Sequence, residues 1–165
     1  MPVAELQGLA RRLLEVPHRH AFIAGAIGMH PFGTRSDPDR GKALLPLLGP
    51  GFERTVVLVG IGEGLAKRHQ AQAETWVRSL PPGVDRDAAI GGMAMGLVER
   101  NLHGAALDWL AQTRAALPEM NELLDSTFKT WRREDPGKAQ AWLNSSTRLS
   151  DQQRERLRAL IHQGP

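Results

Sequence analysis

Tryptophan returns in this chain at a fixed interval: Trp76, Trp109 and Trp142 are evenly spaced, each with an alanine three places before it. Self-similarity at a period of roughly 20 to 50 residues marks one supersecondary unit copied and stacked, because a single unit cannot bury its apolar face alone. The interval can be followed position by position. Walking back from Trp142 in steps of 33, 33 and 32 leads to Trp109, Trp76 and Leu44; the same steps join Leu143 to Leu110, Val77 and Leu45, and Ala139 to Ala106, Ala73 and Gly41. Residues recurring at i, i+3 and i+4 share one face of a helix. The three steps together carry Asp135-Pro136 back to Asp37-Pro38, so a helix-start signal repeats in the same frame. An Asp N-cap followed by Pro at the first helical position satisfies or removes the orphan donors of a helix start.

A second helix is expected after each first one. Leu80 is followed by Pro81-Pro82-Gly83 and Leu48 by Gly49-Pro50-Gly51, so both first helices stop at a Pro/Gly break. Beyond the breaks the frame aligns Leu58, Ile90 and Leu123, then Gly62, Ala94 and Thr127, then Leu65, Leu97 and Thr130, then Ala66, Val98 and Trp131. In the third copy Met120, Leu123, Leu124, Thr127, Phe128 and Trp131 form a full amphipathic stripe. The ends are degenerate: Val3, Leu6, Ala10, Leu13 and Leu14 make one amphipathic helix and Phe22, Ile23, Ala26 and Ile27 a second. Near the other end Ser150 and Gln153 read as a capping box before Leu157, Leu160 and Ile161. The expectation is an all-α protein, an α-solenoid of about five antiparallel hairpins and about ten helices. Their starts fall near 3, 18, 37, 50, 70, 83, 103, 118, 135 and 150. One domain spans 1–165, with a degenerate repeat over 1–36 and repeats over about 37–69, 70–102, 103–134 and 135–163.

Composition excludes several classes. With 41% hydrophobic and 24% charged residues, the 165-residue chain has the make-up of a globular domain with a real core. It has no cysteine, hence no disulfide framework and no zinc-thiolate site. No apolar run approaches a membrane span, and the start MPVAELQGLARRLL lacks the uncharged core of a signal peptide, so a cytoplasmic location is the default expectation. Positions 1–82 carry ten basic and seven acidic side chains and positions 83–165 carry eleven of each, which is no basic tail.

Motifs for chemistry are weak. Residues 55–68, TVVLVGIGEGLAKR, have locally the shape of a strand, a glycine turn and a helix, as in a nucleotide-binding fingerprint. The glycines give G-x-G-x-G at Gly60, Gly62 and Gly64, and the frame sets Gly92 and Gly96 opposite Gly60 and Gly64 inside a helical pattern, so close helix packing is the favoured explanation. His18 and His20 cannot share a metal on a helix, because residues two apart point away from one another. His30, His69, His103 and His162 fall near expected helix ends, where a solvated or capping role is usual. Glu53, Asp85, Glu119 and Glu122 sit in expected first turns, where acids complement the macrodipole. No nucleophile with a motif around it stands out, and the expectation is of no enzyme, no cofactor and no metal.

Two rows of arginine supply the candidate partner-binding residues. Arg68, Arg100 and Arg133 occupy one repeat position at the ends of second helices, and Arg54 and Arg86 another near their starts. Stacking would line up each series, and a row of Arg can track phosphates. The competing explanation is structural: cations complement helix C-termini, and an Arg beside an acidic first turn can pair across a repeat junction.

The run ETWVRSLPPGVDRDAAIGGMAMGLVERNLHGAALDWL (residues 74–110), with EDPGKAQAWL (134–143), resembles the D-P-x-x-A-x-x-W-L-x-x-L-P-x-G-x-x-R helical repeats of bacterial proteins, broadly similar to the tetratricopeptide and HEAT arrays. The resemblance extends loosely over 37–145, departing where Asp-Pro is missing before the copies at 73 and 106 and where TRAALPE replaces the Pro-Gly turn. It implies an α-solenoid with an interaction role and no catalytic residues. The sequence therefore favours a non-catalytic protein–protein interaction scaffold or accessory subunit. The alternative is a nucleic-acid-binding repeat protein using its arginines, and the third reading an enzyme with an unrecognised site.

Overall fold

The computed structural model describes residues 38–113 and 118–162, together with Ala4 and Gly8. Among the described residues all regular structure is helical, making this an all-α protein. The helices are α1 (Pro38–Leu44), α2 (Phe52–Arg68), α3 (Gln70–Ser79), α4 (Val84–Glu99), α5 (His103–Leu110), α6 (Pro118–Glu134), α7 (Pro136–Ser145) and α8 (Asp151–His162). Each begins at, or just after, a start expected from the repeat. The two helices expected near 3 and 18 lie outside the described residues, Ala4 and Gly8 apart. The chain divides into two compact units, Met1–Gly96 and Leu97–Pro165, the division falling inside α4.

In the first unit α1 packs on α2 and α2 on α3. The α1 helix is only seven residues long and tightens into a 3-10 turn over Leu45–Leu47. Its end shifts the repeat register by one: Leu44 is fully buried, whereas Leu45, the counterpart of Val77, is half-exposed. Gly51 and Gly83 precede α2 and α4 with φ of 143° and 149°, a backbone that a residue with a Cβ adopts only under strain. The core of the unit is aliphatic: Leu44, Val57, Leu58, Ile61, Ala73, Val77, Ile90 and Met93 are buried, each large side chain contributing about 1.5 to 3 kcal/mol on removal from water.

Segment 55–68 lies wholly inside α2, so the strand-and-turn shape of a nucleotide fingerprint is not formed. Gly62 serves packing against α4, and Gly92 and Gly96 of α4 serve it from the other side. A Cβ at Gly92 would stand 2.6 Å from the Val59 carbonyl carbon, one at Gly62 2.9 Å from the Met93 nitrogen, and one at Gly96 2.7 Å from the Glu63 oxygen. Backbone meets backbone, with no space for a methyl group. Val59 pairs with Gly92 and Glu63 with Gly96, the same offset both times, so α2 and α4 run parallel, one repeat out of step.

The second unit opens where α4 ends. Asn101, at φ 59°, closes that helix: Leu102 N–H donates to the Leu97 carbonyl at 3.0 Å and Asn101 N–H to Val98 at 2.8 Å, the paired bonds of a Schellman turn. The α5 and α6 helices form an antiparallel hairpin, with His103 against Glu134 and Gly104 against Trp131. The α7 helix starts as the sequence predicts, the Asp135 carboxylate accepting from Lys138 N–H at 3.0 Å with Pro136 at the first position. The α8 helix has its capping box: Gln153 N–H donates to Ser150 Oγ at 3.2 Å and Ser150 N–H to Gln153 Oε1 at 2.9 Å. Contacts from α6 to α8 join Asp125 to Arg156 and Arg132 to Leu160, so these helices also run parallel.

The three repeating tryptophans are buried less completely than the small and aliphatic positions around them. Ala73, Ala106 and Ala139 and, four places on, Val77, Leu110 and Leu143 are all 0% exposed, whereas Trp109 is 6% exposed and Trp76 and Trp142 are only half-buried. Helix geometry explains this, since residues i and i+4 are only about 40° apart while i+3 lies about 60° to the other side of i. The small and aliphatic positions form the seam, and the indole covers its rim.

Candidate functional site

Of the sequence-derived candidates, Arg54 is drawn into the first unit. Its Nε donates to Asp85 Oδ2 at 2.8 Å, and one terminal nitrogen donates to the Leu45 and Leu48 carbonyls at 3.1 and 3.0 Å. It ties the first turn of α4 to the end of α1, the junction role that competed with partner binding. Arg154 does the same in the last hairpin, donating to the Leu143 and Ser146 carbonyls, both at 2.6 Å. Leu143 and Ser146 are the counterparts of Leu45 and Leu48 three repeats earlier, so two arginines that are not themselves in register close helix ends that are. The residue missed in the sequence was Arg154, and its signal was present as a cation just beyond a first-helix terminus.

The other arginines divide by location. Arg68 and Arg133 are exposed in the last turns of α2 and α6, Arg100 is exposed just after α4, and Arg86 is half-buried in the first turn of α4. Arg133 also lies 3.4 Å from Thr130 Oγ1. Arg54, Arg68 and Arg86 belong to one unit and Arg100 and Arg133 to the other.

A cluster of aromatic side chains lies in the second unit. Trp131 sits on Gly104, where a Cβ would stand 3.2 Å from the indole edge, and its ring lies 6.3 Å from that of His103 and 6.4 Å from that of Trp142. Phe128 lies 6.2 Å from Trp142. Trp142 Nε1–H donates to Asp108 Oδ1 at 2.9 Å, linking α7 to α5. His103 departs from the solvated role expected at a helix end: it is 4% exposed, with Nε2 2.8 Å from Glu134 Oε2. Neither ring nitrogen has a hydrogen-bond partner among the described residues. Both nitrogens are sealed from solvent, while the neighbouring Trp131 and Trp142 rings remain half-buried.

Trp76 differs from its counterparts. It is half-exposed on α3 beside exposed Gln72, Thr75 and Ser79, and among the described residues its indole N–H has no acceptor and its ring no aromatic contact. Thr75 and Ser79 turn their hydroxyls back to carbonyls of their own helix, at 2.8 and 2.6 Å.

Among the described residues no three His, Asp or Glu side chains gather as a metal site, and no helix is long and apolar enough to cross a membrane. The fold and these surfaces define an all-α protein of paired helices. No family model matches the chain, and no curated protein and no solved structure matches it.

Proposed function

We propose that the chain is a non-catalytic protein–protein interaction scaffold or accessory subunit, built as a helical-repeat array that presents outward side chains to a partner. The observation that carries this reading is the sequence separation of contacts between like helices. Val59 meets Gly92 and Glu63 meets Gly96 at the full period of the tryptophans. Asp108 meets Trp142 and Asp125 meets Arg156 at separations of 34 and 31, close to the same period. Contacts one period long are what an array of stacked hairpins produces, and such arrays serve as extended recognition surfaces. A half-exposed tryptophan whose indole N–H has no acceptor among the described residues adds to the reading, since tryptophan is enriched among the residues that dominate interface energies.

The nucleic-acid alternative is favoured by exposed Arg68, Arg100 and Arg133 and weakened by the commitment of Arg54 to α1 and α4. Affinity capture by the tagged full chain, with and without nuclease, separates the two. A protein partner should survive nuclease and, once purified, form a complex of fixed stoichiometry in sedimentation velocity. Loss of all association after nuclease, with a gel shift that weakens steeply as salt rises, would establish the alternative in its place.

A further inference from the structure

The aromatic cluster of the second unit is flanked by negative charge with no matching cation. Trp131 and Trp142 are half-buried with ring centroids 6.4 Å apart, and fully buried Phe128 packs beside Trp142. Asp108 accepts the Trp142 indole N–H through Oδ1 at 2.9 Å, and Glu134, three residues after Trp131 on α6, has a side chain 53% exposed. Among the described residues neither carboxylate is paired with Lys or Arg, and Asp108 Oδ2 receives no hydrogen bond. The cations nearest in sequence are held elsewhere: Arg132 donates to the Leu160 carbonyl at 2.7 Å, and the Lys138 ammonium lies 2.8 Å from Asp135. His103 adds an independent sign of incompleteness. Its Nε2 lies 2.8 Å from the Glu134 carboxylate, yet neither buried ring nitrogen has a hydrogen-bond partner, a condition rare enough in folded proteins to call for a reason.

We infer that Trp131 and Trp142, with Asp108 and Glu134 beside them, form the docking point for a basic segment of a protein partner, a deepening that rests on the interaction reading above. A lysine or arginine side chain of the partner lies against the solvent-accessible part of the indoles, where the ring quadrupole attracts a cation, most strongly for tryptophan. Its charge is met by Glu134 or by the open oxygen of Asp108, as a charge-assisted hydrogen bond. Because Asp108 already holds the Trp142 indole N–H, the ring is fixed before a partner arrives, and less side-chain ordering opposes binding. A phosphate or an acidic segment meets like charge at the same place, which sets this surface apart from the arginines considered for nucleic acid.

The test uses the full chain labelled with 15N, in which each of the four tryptophans gives one indole resonance; Trp131→Phe and Trp142→Phe assign the two in question. The solution is buffered at about pH 8, where ordinary imidazoles are neutral. A lysine-rich peptide should move the Trp131 and Trp142 resonances saturably, and a glutamate-rich peptide of equal length should not. Asp108→Asn, which keeps an acceptor for the indole, and Glu134→Gln, at a half-exposed side chain, should each weaken the basic peptide roughly three- to tenfold. Glu119→Gln, an exposed acid in the first turn of the same helix, should leave the affinity as it was. A basic peptide that moves other resonances but leaves Trp131 and Trp142 in place overturns the docking point while the interaction reading stands. Equal shifts from both peptides, an unchanged affinity in both cluster variants, or an equal loss in Glu119→Gln overturns it as well, and silence of every resonance removes it together with its basic chemistry. The interaction reading itself is decided separately by partner capture.

Discussion

One methyl group distinguishes two kinds of glycine in this chain. At Gly92 a Cβ would enter the α2 backbone, whereas at Gly137 the nearest atom is an Asp135 oxygen at 3.7 Å. Gly92→Ala gains about 1 kcal/mol of helix propensity but forces two helices apart, so a net loss of about 1 to 3 kcal/mol is expected. Gly137→Ala should be neutral or slightly stabilising, and urea midpoints of the two variants check the contrast. At Asp135 the side-chain and then the backbone hydrogen bonds of Lys138 hold the carboxyl below the ordinary aspartate range, and Asp135 in turn raises Lys138 above the usual lysine range. A depressed acid contributes stability above its unfolded range that is lost as pH falls through its folded value. A raised lysine contributes below its unfolded range, and the contribution is lost as pH rises through its folded value. Asp135→Asn should therefore flatten both the acid and the alkaline limbs of a stability profile; unchanged limbs would discard the pairing. The repeating residues were legible in the sequence and their roles only partly so. Trp is the most visible member of the pattern, yet Ala73 and Val77 hold the seam, because visibility follows size while burial follows angular position.

Helix boundaries follow from local chemistry, which is why every described start lies close to its expected position. Asp-Pro, Ser-x-x-Gln and Pro/Gly breaks act over a short stretch of chain and need no tertiary information. What closes the helix ends was harder to read. Arg54 and Arg154 reach carbonyls that carry no sequence signal, and Arg54 resembled a ligand-binding cation until its partners were fixed. Arg54→Met should cost roughly 1 to 3 kcal/mol, since it strips two partly buried carbonyls and Asp85 of a donor; a denaturation midpoint equal to that of the parent would show the clamp to be idle. At Asn101 the left-handed backbone sets the expectation: Asn101→Val should lose about 1 to 2 kcal/mol, while Asn101→Gly should lose nothing. Thermal melts of the pair distinguish backbone conformation from any contact made by the amide.

For the whole molecule, the contacts that join one repeat to the next, such as Arg156 to Asn121 and Trp142 to Asp108, span 35 and 34 positions. Loops that short close cheaply, and chains dominated by local contacts fold quickly. Refolding of the main population within about a millisecond to tens of milliseconds is expected by stopped-flow tryptophan fluorescence. The 11 prolines should add a minor phase of tens of seconds, accelerated by a prolyl isomerase; a dominant slow phase insensitive to isomerase would contradict the local architecture. The partner is the part that the pattern leaves open. Periodicity is set by how units stack, whereas recognition by such arrays depends on outward positions where the copies differ.

Considered as inheritance, the contact between Gly92 and Val59 is an asymmetric constraint. Every nucleotide change that alters the amino acid at position 92 adds a Cβ, and the obstacle is main chain, which no compensating change at position 59 can remove. A saturation library selected only for folding should therefore be emptied at Gly92 and remain well populated at Trp76. Drift would then preserve the period in its least conspicuous residue and lose it first in its most conspicuous one.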